Sequence, residues 1–143
     1  MEADGLLVTG GFRPEATLVR GSHIRLDRRT GGPAIDSFGR TSDPAYFAAG
    51  NLLRPVETAG WSWAEGLAGA RHIRRALEGT LPAPEPALGL ELAGEAIKYA
   101  LPQRLHPGDI DEGQMLQVRV AHPVRGRLGL RLDGHEVWSR RLK

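Results

Sequence analysis

Two glycines, Gly10 and Gly50, each lie just beyond a short apolar run, a pattern typical of backbone that a ligand can approach closely. Gly50 follows Ala-Tyr-Phe-Ala-Ala at residues 45–49, and Gly10 follows Gly-Leu-Leu-Val at residues 5–8 and a threonine. Both runs have the length and character of a strand covered on both faces. Because glycine has no side chain, a strand that stops there leaves its main chain open to a ligand. The sequence therefore predicts a binding site built largely from backbone atoms.

One long helix, here called α2, is predicted after Gly50, over residues 57–78. Its apolar residues recur at three- and four-residue steps. They are Trp63, Leu67, Ala70, Ile73 and Leu77, here called the α2 stripe. Arginines and His72 crowd the last turns, where positive charge complements the helix dipole, and Gly79 follows as a stop signal. The first residues, Thr58 and Ala59 among them, present unpaired N–H groups that favour a ligand group carrying negative charge.

Several kinds of chemistry are excluded by composition and spacing. The chain of 143 residues has no cysteine, so disulfides, iron–sulfur clusters and thiolate catalysis are not expected. Its five histidines lack metal-ligand spacing, and neither a Ser-His-Asp set nor a carboxylate pair can be assembled. The catalytic residues therefore remain unknown, and no metal site is predicted.

Charge and hydropathy point to an ordinary globular protein rather than to a nucleic-acid or membrane protein. The net charge is +2, and the basic residues are scattered without an aromatic platform, so nucleic-acid binding is not expected. Arg40 and Arg54 are expected to be solvated or interface charges, although Arg54 lies near enough to Gly50 to reach a phosphate. No apolar run approaches the roughly 18 residues of a membrane span, and a cytoplasmic location is expected.

The second half of the chain is predicted to be β-rich. Leu-Pro-Ala-Pro-Glu-Pro at residues 81–86 predicts an extended spacer. Strands are predicted over residues 96–101, 115–121, 127–132 and 135–142. Asp133 and Gly134 predict the hairpin turn between the last two. Alternating leucines and arginines predict an antiparallel sheet with one apolar and one arginine-rich face.

Two segments resemble the pyridine-nucleotide-disulfide oxidoreductase superfamily. Asp-Gly-Leu-Leu-Val-Thr-Gly-Gly-Phe-Arg-Pro at residues 4–14 resembles its second ATG-like strand and turn. Thr-Ser-Asp-Pro-Ala-Tyr-Phe-Ala-Ala-Gly-Asn at residues 41–51 resembles the TS-x-P-x-hydrophobic-A-x-G-D segment that follows about thirty residues later. Residues 50–61, and the tail at 101–105 and 119–126, are most similar to flavin subunits of hydrogen cyanide synthase, opine oxidase and related amino-acid dehydrogenases.

This resemblance implies FAD as the cofactor. It places Gly50 and Asn51 near the ribityl-pyrophosphate part and Thr58 and Ala59 near the flavin ring, and Gly10 is also expected to bind the cofactor. Most members of the superfamily have aspartate where this chain has Asn51, whose amide can still hydrogen-bond a hydroxyl or a phosphate oxygen. The implied fold class is α+β: a partial FAD-binding, Rossmann-like α/β segment with one long helix, followed by a small antiparallel β unit.

The resemblance also implies that the chain works as part of a larger protein. Residues 1–80 would be the C-terminal segment of an FAD-binding domain, 81–87 a proline-rich linker and 88–143 the β-rich unit. The phosphate-binding G-x-G-x-x-G of the superfamily is not found, so we expect a C-terminal fragment that alone neither binds FAD tightly nor turns over substrate. Its partner would be the missing FAD/NAD-binding portion or another subunit, and a homo-oligomer is expected. The alternative is a non-catalytic self-association or subunit-docking module.

Overall fold

The computed structural model describes residues 4–7, 13–55, 58–107 and 115–142. Among these described residues, two α-helices and one 3₁₀ helix precede six strands. The elements are α1 (Thr17–Arg20), the 3₁₀ helix Gly50–Leu52, α2 (Ala59–Leu77), β1 (Leu88–Gly89), β2 (Ile97–Leu101), β3 (Arg104–Leu105), β4 (Gln117–Val120), β5 (Gly126–Leu132) and β6 (His135–Leu142). The mixture of helices and small antiparallel sheets agrees with the predicted α+β class.

The strands form three separate antiparallel pairs rather than one sheet. β1 pairs with β3, β2 with β4, and β5 with β6. Within β2 and β4, Ala100 is opposite Val118 and Leu101 is opposite Gln117. This register brings Gln117 to the end of β2 that faces the first half of the chain.

The predicted buried strand at residues 45–49 is wrong. This segment instead turns back on residues 39–41 and makes one antiparallel bridge, between Arg40 and Phe47. The Thr41 N–H donates to the Tyr46 carbonyl at 2.9 Å, and the Ala48 N–H donates to the Gly39 carbonyl at 2.9 Å. The apolar composition of this run suggested that neighbouring strands cover it. Its backbone groups instead form hydrogen bonds within the local turn, so pairing with other strands is not required.

The predicted strands near residues 5–8 and 23–26 are not formed in the described part of the chain. Residues 5–7 carry no regular structure, and Leu6 and Leu7 are exposed. Leu26 makes a single antiparallel bridge with Pro33. The one parallel contact among the described residues is an isolated bridge between Asp36 and Arg104, so the parallel sheet of a Rossmann-like segment is absent from them. An apolar run becomes a strand only where another strand can pair with it.

A small core joins the two halves. Ile35, Leu53 and Leu101 form its buried cluster, with Ala48 packed against them. Gly32 lies so close to this cluster that an added Cβ would be 2.3 Å from the Leu52 carbonyl oxygen. No side chain fits at that position, because the approaching atom is rigid backbone.

The predicted long helix is confirmed as α2. It begins after Thr58, whose backbone is extended and whose side chain makes no capping hydrogen bond. None of its residues is fully buried, and most of the α2 stripe faces outward. Within the described residues, no helix combines the length and apolar character needed to cross a membrane.

The predicted hairpin is also confirmed. Asp133 and Gly134 have φ of 49° and 82°, as a two-residue type I′ turn requires. In this register Leu130 is opposite Trp138 and Leu128 is opposite Arg140 on one face. On the other face Arg127 donates to Ser139 Oγ and forms an ion pair with Glu136. The leucines of β5 and Arg127 thus lie on opposite faces, as the alternation predicts, but Arg140 of β6 lies on the leucine face.

The proline-rich segment accepts hydrogen bonds from one side chain that precedes it in the sequence and from one that follows it. Arg40 donates to the carbonyls of Pro82, at 2.5 Å, and Ala83, at 3.4 Å. His106 Nε2 lies 3.1 Å from the same Ala83 oxygen. The division at residues 81–87 stays a prediction, and these contacts join the segments that it would separate.

Candidate functional site

Gly50 occupies a turn that requires its backbone freedom. Its φ is +70°, in the left-handed region, and the preceding Ala49 is extended. A Cβ built on Gly50 would lie 3.6 Å from the Ser62 side chain, which is ordinary van der Waals contact. Conformation rather than space therefore demands glycine here. The chain is extended at Ala49 and turns at Gly50, although residues 45–49 do not form the predicted strand.

Glu65 fastens this turn to α2. Its Oε2 accepts hydrogen bonds from the Gly50 N–H at 2.9 Å and from Arg54 Nη1 at 2.8 Å. Its Oε1 accepts from Trp61 Nε1 at 3.0 Å, from Gln117 Nε2 at 3.1 Å and from Arg54 Nη2. One carboxylate thus collects donors from the turn, from α2 and from β4.

These donors determine how readily Glu65 is protonated. Burial by itself would raise the pKa of Glu65, but hydrogen bonds from Arg54 and Gln117, the Arg54 charge and the Gly50 N–H together hold the pKa below its usual value. Glu65 is therefore a stable anion at neutral pH. Its place in the site is that of a clamp rather than a proton donor.

Arg54 was predicted to be a solvated or interface charge, and this prediction is wrong. Its side chain is buried, pairs with both oxygens of Glu65 and donates to Gln117 Oε1 at 2.6 Å. Arg40 is buried as well, in an ion pair with Asp36 at 2.6 Å. Both arginines find carboxylates across turns, and a buried guanidinium needs such a partner to offset its desolvation.

The predicted cofactor-binding residues lie in different surroundings. Gly50 is buried, whereas Asn51, Thr58 and Ala59 are exposed. Gly10 lies outside the described residues. The structure brings Gly50 next to the first turns of α2, through its contacts with Ser62 and Glu65. The assignment of these residues to a cofactor stays a prediction.

Two hollows flank this clamp. One, of about 280 Å³, lies between α2 and the core and is lined mainly by apolar residues such as Ile35, Phe38, Leu53 and Leu101. The other, of about 250 Å³, lies beside the start of α2, where Thr58, Arg54 and Arg119 contribute to its wall. The positive partial charge of the helix start makes the second hollow the more suitable one for a polar or anionic group.

The residues that sequence reasoning missed are Glu65 and Gln117. Glu65 lies four residues after Trp61 and seven before His72, so the three share one side of α2, opposite the α2 stripe. His72, predicted to complement the helix dipole, places its Nδ1 2.8 Å from the Phe38 carbonyl. The repeat of Trp61, Glu65 and His72 along α2 therefore could have indicated which side of the helix packs against the rest of the protein.

The described residues include no cluster of three histidine, aspartate or glutamate side chains that could hold a metal ion. The donors around Glu65 are instead N–H groups and a guanidinium, which supply positive charge or protons and leave no lone pairs for a cation. Because these donors are bonded to Glu65 itself, the arrangement positions the Gly50 turn against the start of α2.

Comparison with known proteins gives distant relatives among pyridine-nucleotide enzymes. Neither a protein-family model nor a solved structure matches the chain. The nitric oxide reductase FlRd-NAD(+) reductase of Salmonella heidelberg (strain SL476) is 27% identical over 111 residues, which cover 71% of this chain and 29% of that protein. The proteins of the same name from Salmonella typhi and Citrobacter koseri are 28% identical over 105 residues, which cover 66% of this chain and 27% of theirs.

The similarity supports the superfamily alone. It agrees with the resemblance to pyridine-nucleotide oxidoreductases. It does not extend to the narrower resemblance to flavin subunits of amino-acid dehydrogenases. The chain spans less than a third of the length of these relatives.

Proposed function

We propose that this chain supplies the flavin-contacting segment of an FAD-dependent oxidoreductase. The observation that carries the proposal is the Gly50 turn, held against the start of α2 by the Glu65 clamp. In the complete enzyme, bound FAD would take electrons from an amino-acid-like substrate and pass them to an acceptor. The distant relatives support the oxidoreductase class, and the substrate class rests on the resemblance of residues 50–61.

The residues around the turn fit such a cofactor. Gly50 has no Cβ, and its positive φ turns the chain directly after the extended Ala49, beside the exposed Asn51. The exposed Asn51 carries an amide that can donate to a phosphate oxygen or accept from a hydroxyl, and it adds no negative charge beside a phosphate. Aspartate at the same position would repel phosphate oxygens.

The start of α2 suits the electron-rich edge of a reduced flavin. The first turn has no acidic residue, and the Thr58 side chain makes no hydrogen bond to it. Its unpaired N–H groups therefore present a partial positive charge, roughly half an elementary charge, at the start of the helix. Thr58 and Ala59 would orient the flavin ring from this position.

The alternative function is a docking module that touches no cofactor. The outward-facing apolar side chains of α2 favour it, because a large exposed apolar surface is typical of a site that binds another protein surface. The two functions are compatible, since the clamp and the α2 stripe lie on opposite sides of the helix.

The proposal is tested with glycine variants of the oxidoreductase subunit that contains this sequence. Gly50→Val is expected to lose most of the bound flavin, measured as flavin absorbance per subunit after purification. Gly94→Val is the matched control, because Gly94 also has positive φ, +88°, and lies in open space. Both substitutions strain the backbone by about 1–2 kcal/mol, but only Gly50 lies at the proposed site.

A second variant keeps the test independent of folding. Asn51→Leu changes an exposed residue and is expected to reduce flavin affinity about tenfold by removing a hydrogen-bonding amide. Circular dichroism would verify that each variant is folded. A parent subunit without flavin, or folded Gly50 and Asn51 variants that retain as much flavin as Gly94→Val, would overturn the proposal.

A further inference from the structure

The most unusual surface of this protein is the outer face of α2. The exposed fractions of its bulky apolar residues are 71% for Trp63, 44% for Leu67, 42% for Ile73 and 85% for Leu77. Exposed apolar side chains are common singly, but four on one helix form a continuous strip. Such a strip marks an interaction surface.

The helix cannot turn this strip inward without losing its anchors. Glu65 holds Gly50 and Arg54, and His72 holds the Phe38 carbonyl, all from the opposite side of α2. Rotation about the helix axis would break these contacts and leave Arg54 buried without its carboxylate, which costs several kcal/mol. The α2 stripe is therefore a fixed outer face.

The α2 stripe is arranged symmetrically about Ala70. Trp63 and Leu77 lie seven residues to either side of Ala70, and Leu67 and Ile73 lie three residues to either side. When two such helices pack antiparallel with Ala70 at the two-fold axis, Trp63 meets Leu77 of the second copy, and Leu67 meets Ile73. Bulky residues then pair with bulky ones, and the small Ala70 lets the helices approach closely at the centre.

Charges at the ends of the helix fit the same antiparallel arrangement. The first turn of α2 has neither an acidic residue nor a side-chain cap. Glu78 directly follows the last turn, which carries Arg74 and Arg75, and its carboxylate lies 3.8 Å from Arg74 Nε. In the antiparallel pair, Glu78 of each copy lies beside the first turn of the other, where its carboxylate offsets the positive end of that helix dipole. A parallel pair would place the two glutamates together.

We propose that two copies of this chain associate through antiparallel α2 helices related by a two-fold axis at Ala70. The contact consists of one helix face per copy and is smaller than the roughly 1,600 Å² of a standard interface. We therefore expect a reversible dimer with a dissociation constant on the order of micromolar. The proposal goes beyond the flavin assignment and does not depend on it.

The first test measures the monomer–dimer equilibrium of the full chain by sedimentation velocity over a concentration series. Trp63→Gln is expected to weaken dimerisation at least about tenfold, because the largest apolar side chain of the contact is lost at each end. Trp138→Gln is the matched control, since Trp138 is also half-exposed but lies on β6. Monomeric wild-type chain at about 100 times the expected dissociation constant would overturn the proposal, as would equal effects of the two variants.

A charge pair tests the register itself. Leu67→Glu with Ile73→Glu places like charges opposite each other in the proposed dimer and is expected to abolish it. Leu67→Lys with Ile73→Glu places opposite charges there and is expected to retain it within about threefold. The two sites are six residues apart on one helix, so neither pair interacts within a chain. Equal dimerisation of the two double variants, each shown to be helical by circular dichroism, would overturn the antiparallel register.

Discussion

At the scale of single residues, the site depends on one carboxylate. Glu65 connects Gly50, Arg54, Trp61 and Gln117, which come from a turn, a helix and a strand. Arg54 is buried and makes its ion pair with Glu65 alone among the described residues. Removing the charge of Glu65 therefore affects stability and the shape of the Gly50 turn together.

Glu65→Gln is expected to lower the free energy of unfolding by about 2–4 kcal/mol at pH 7, because Arg54 stays buried without a counter-charge. Urea unfolding monitored by tryptophan fluorescence would measure this loss. Glu91→Gln, at an exposed glutamate, is the control and should change stability by less than about 0.5 kcal/mol. If Glu65→Gln and Glu91→Gln have equal free energies of unfolding at pH 7, the ion pair of Glu65 with Arg54 does not stabilise the fold as proposed.

The same substitution should change the pH dependence of stability. The folded pKa of Glu65 is lowered, so its contribution is complete above the unfolded pKa of about 4.3 and is lost as pH falls through the folded pKa. Wild-type stability should therefore fall below roughly pH 4, and Glu65→Gln should fall less over the same range. If Glu65→Gln loses as much stability at acid pH as the wild type, other carboxylates cause the acid-induced loss of stability.

At the scale of elements, local signals account for those predictions that succeeded. α2 follows from its periodicity, and the β5–β6 hairpin follows from alternation around Asp133 and Gly134. Both elements make most of their backbone hydrogen bonds within themselves, so they need little from the rest of the chain. The failed strands at residues 23–26 and 45–49 required distant partners instead.

Gly134 offers a test at this scale. Gly134→Val forces a β-branched residue into φ of 82° and should destabilise the hairpin by about 1–2 kcal/mol. Hydrogen exchange is expected to speed up at the amides of β5 and β6 and to stay unchanged in β2. Gly126→Val, at a strand position with open space around it, is the control and should not accelerate exchange. If it accelerates exchange as much as Gly134→Val does, the conformation of the turn does not determine the stability of the hairpin.

At the scale of the whole molecule, buried arginines join distant segments. Arg40 pairs with Asp36 and donates to the carbonyls of Pro82 and Ala83. Arg104 donates to the Thr41 carbonyl at 2.8 Å. These side chains hold the proline-rich segment and β3 against the turn at residues 36–41, in a protein whose apolar core is small.

Arg40→Met should cost about 3–5 kcal/mol, because Asp36 would remain buried without its partner. The double variant with Asp36→Asn should recover part of this loss, since no buried charge is then left. Thermal unfolding would measure both, and limited proteolysis should show faster cleavage within residues 81–87. Arg127→Met, at an exposed ion pair, is the control and should cost less than about 1 kcal/mol; an equal loss there would contradict a special role for Arg40.

By itself, the sequence determined the elements that are stable through short-range interactions: α2, its limits, the hairpin turn and the alternating faces of β5 and β6. It also singled out Gly50, for its missing side chain, whereas the structure requires glycine there for its positive φ. These features depend on periodicity, on turn chemistry and on φ preferences, which act within a few residues.

Only the tertiary structure decided which face of α2 meets the body, because both faces have a helical repeat. The apolar repeat predicts burial, yet Glu65 and His72 turn the polar repeat inward, since Arg54 and the Phe38 carbonyl need partners there. It likewise decided that residues 45–49 pair locally with residues 39–41. Ion pairs and strand pairing depend on groups that the fold brings together from distant positions, and no short window of sequence contains both partners.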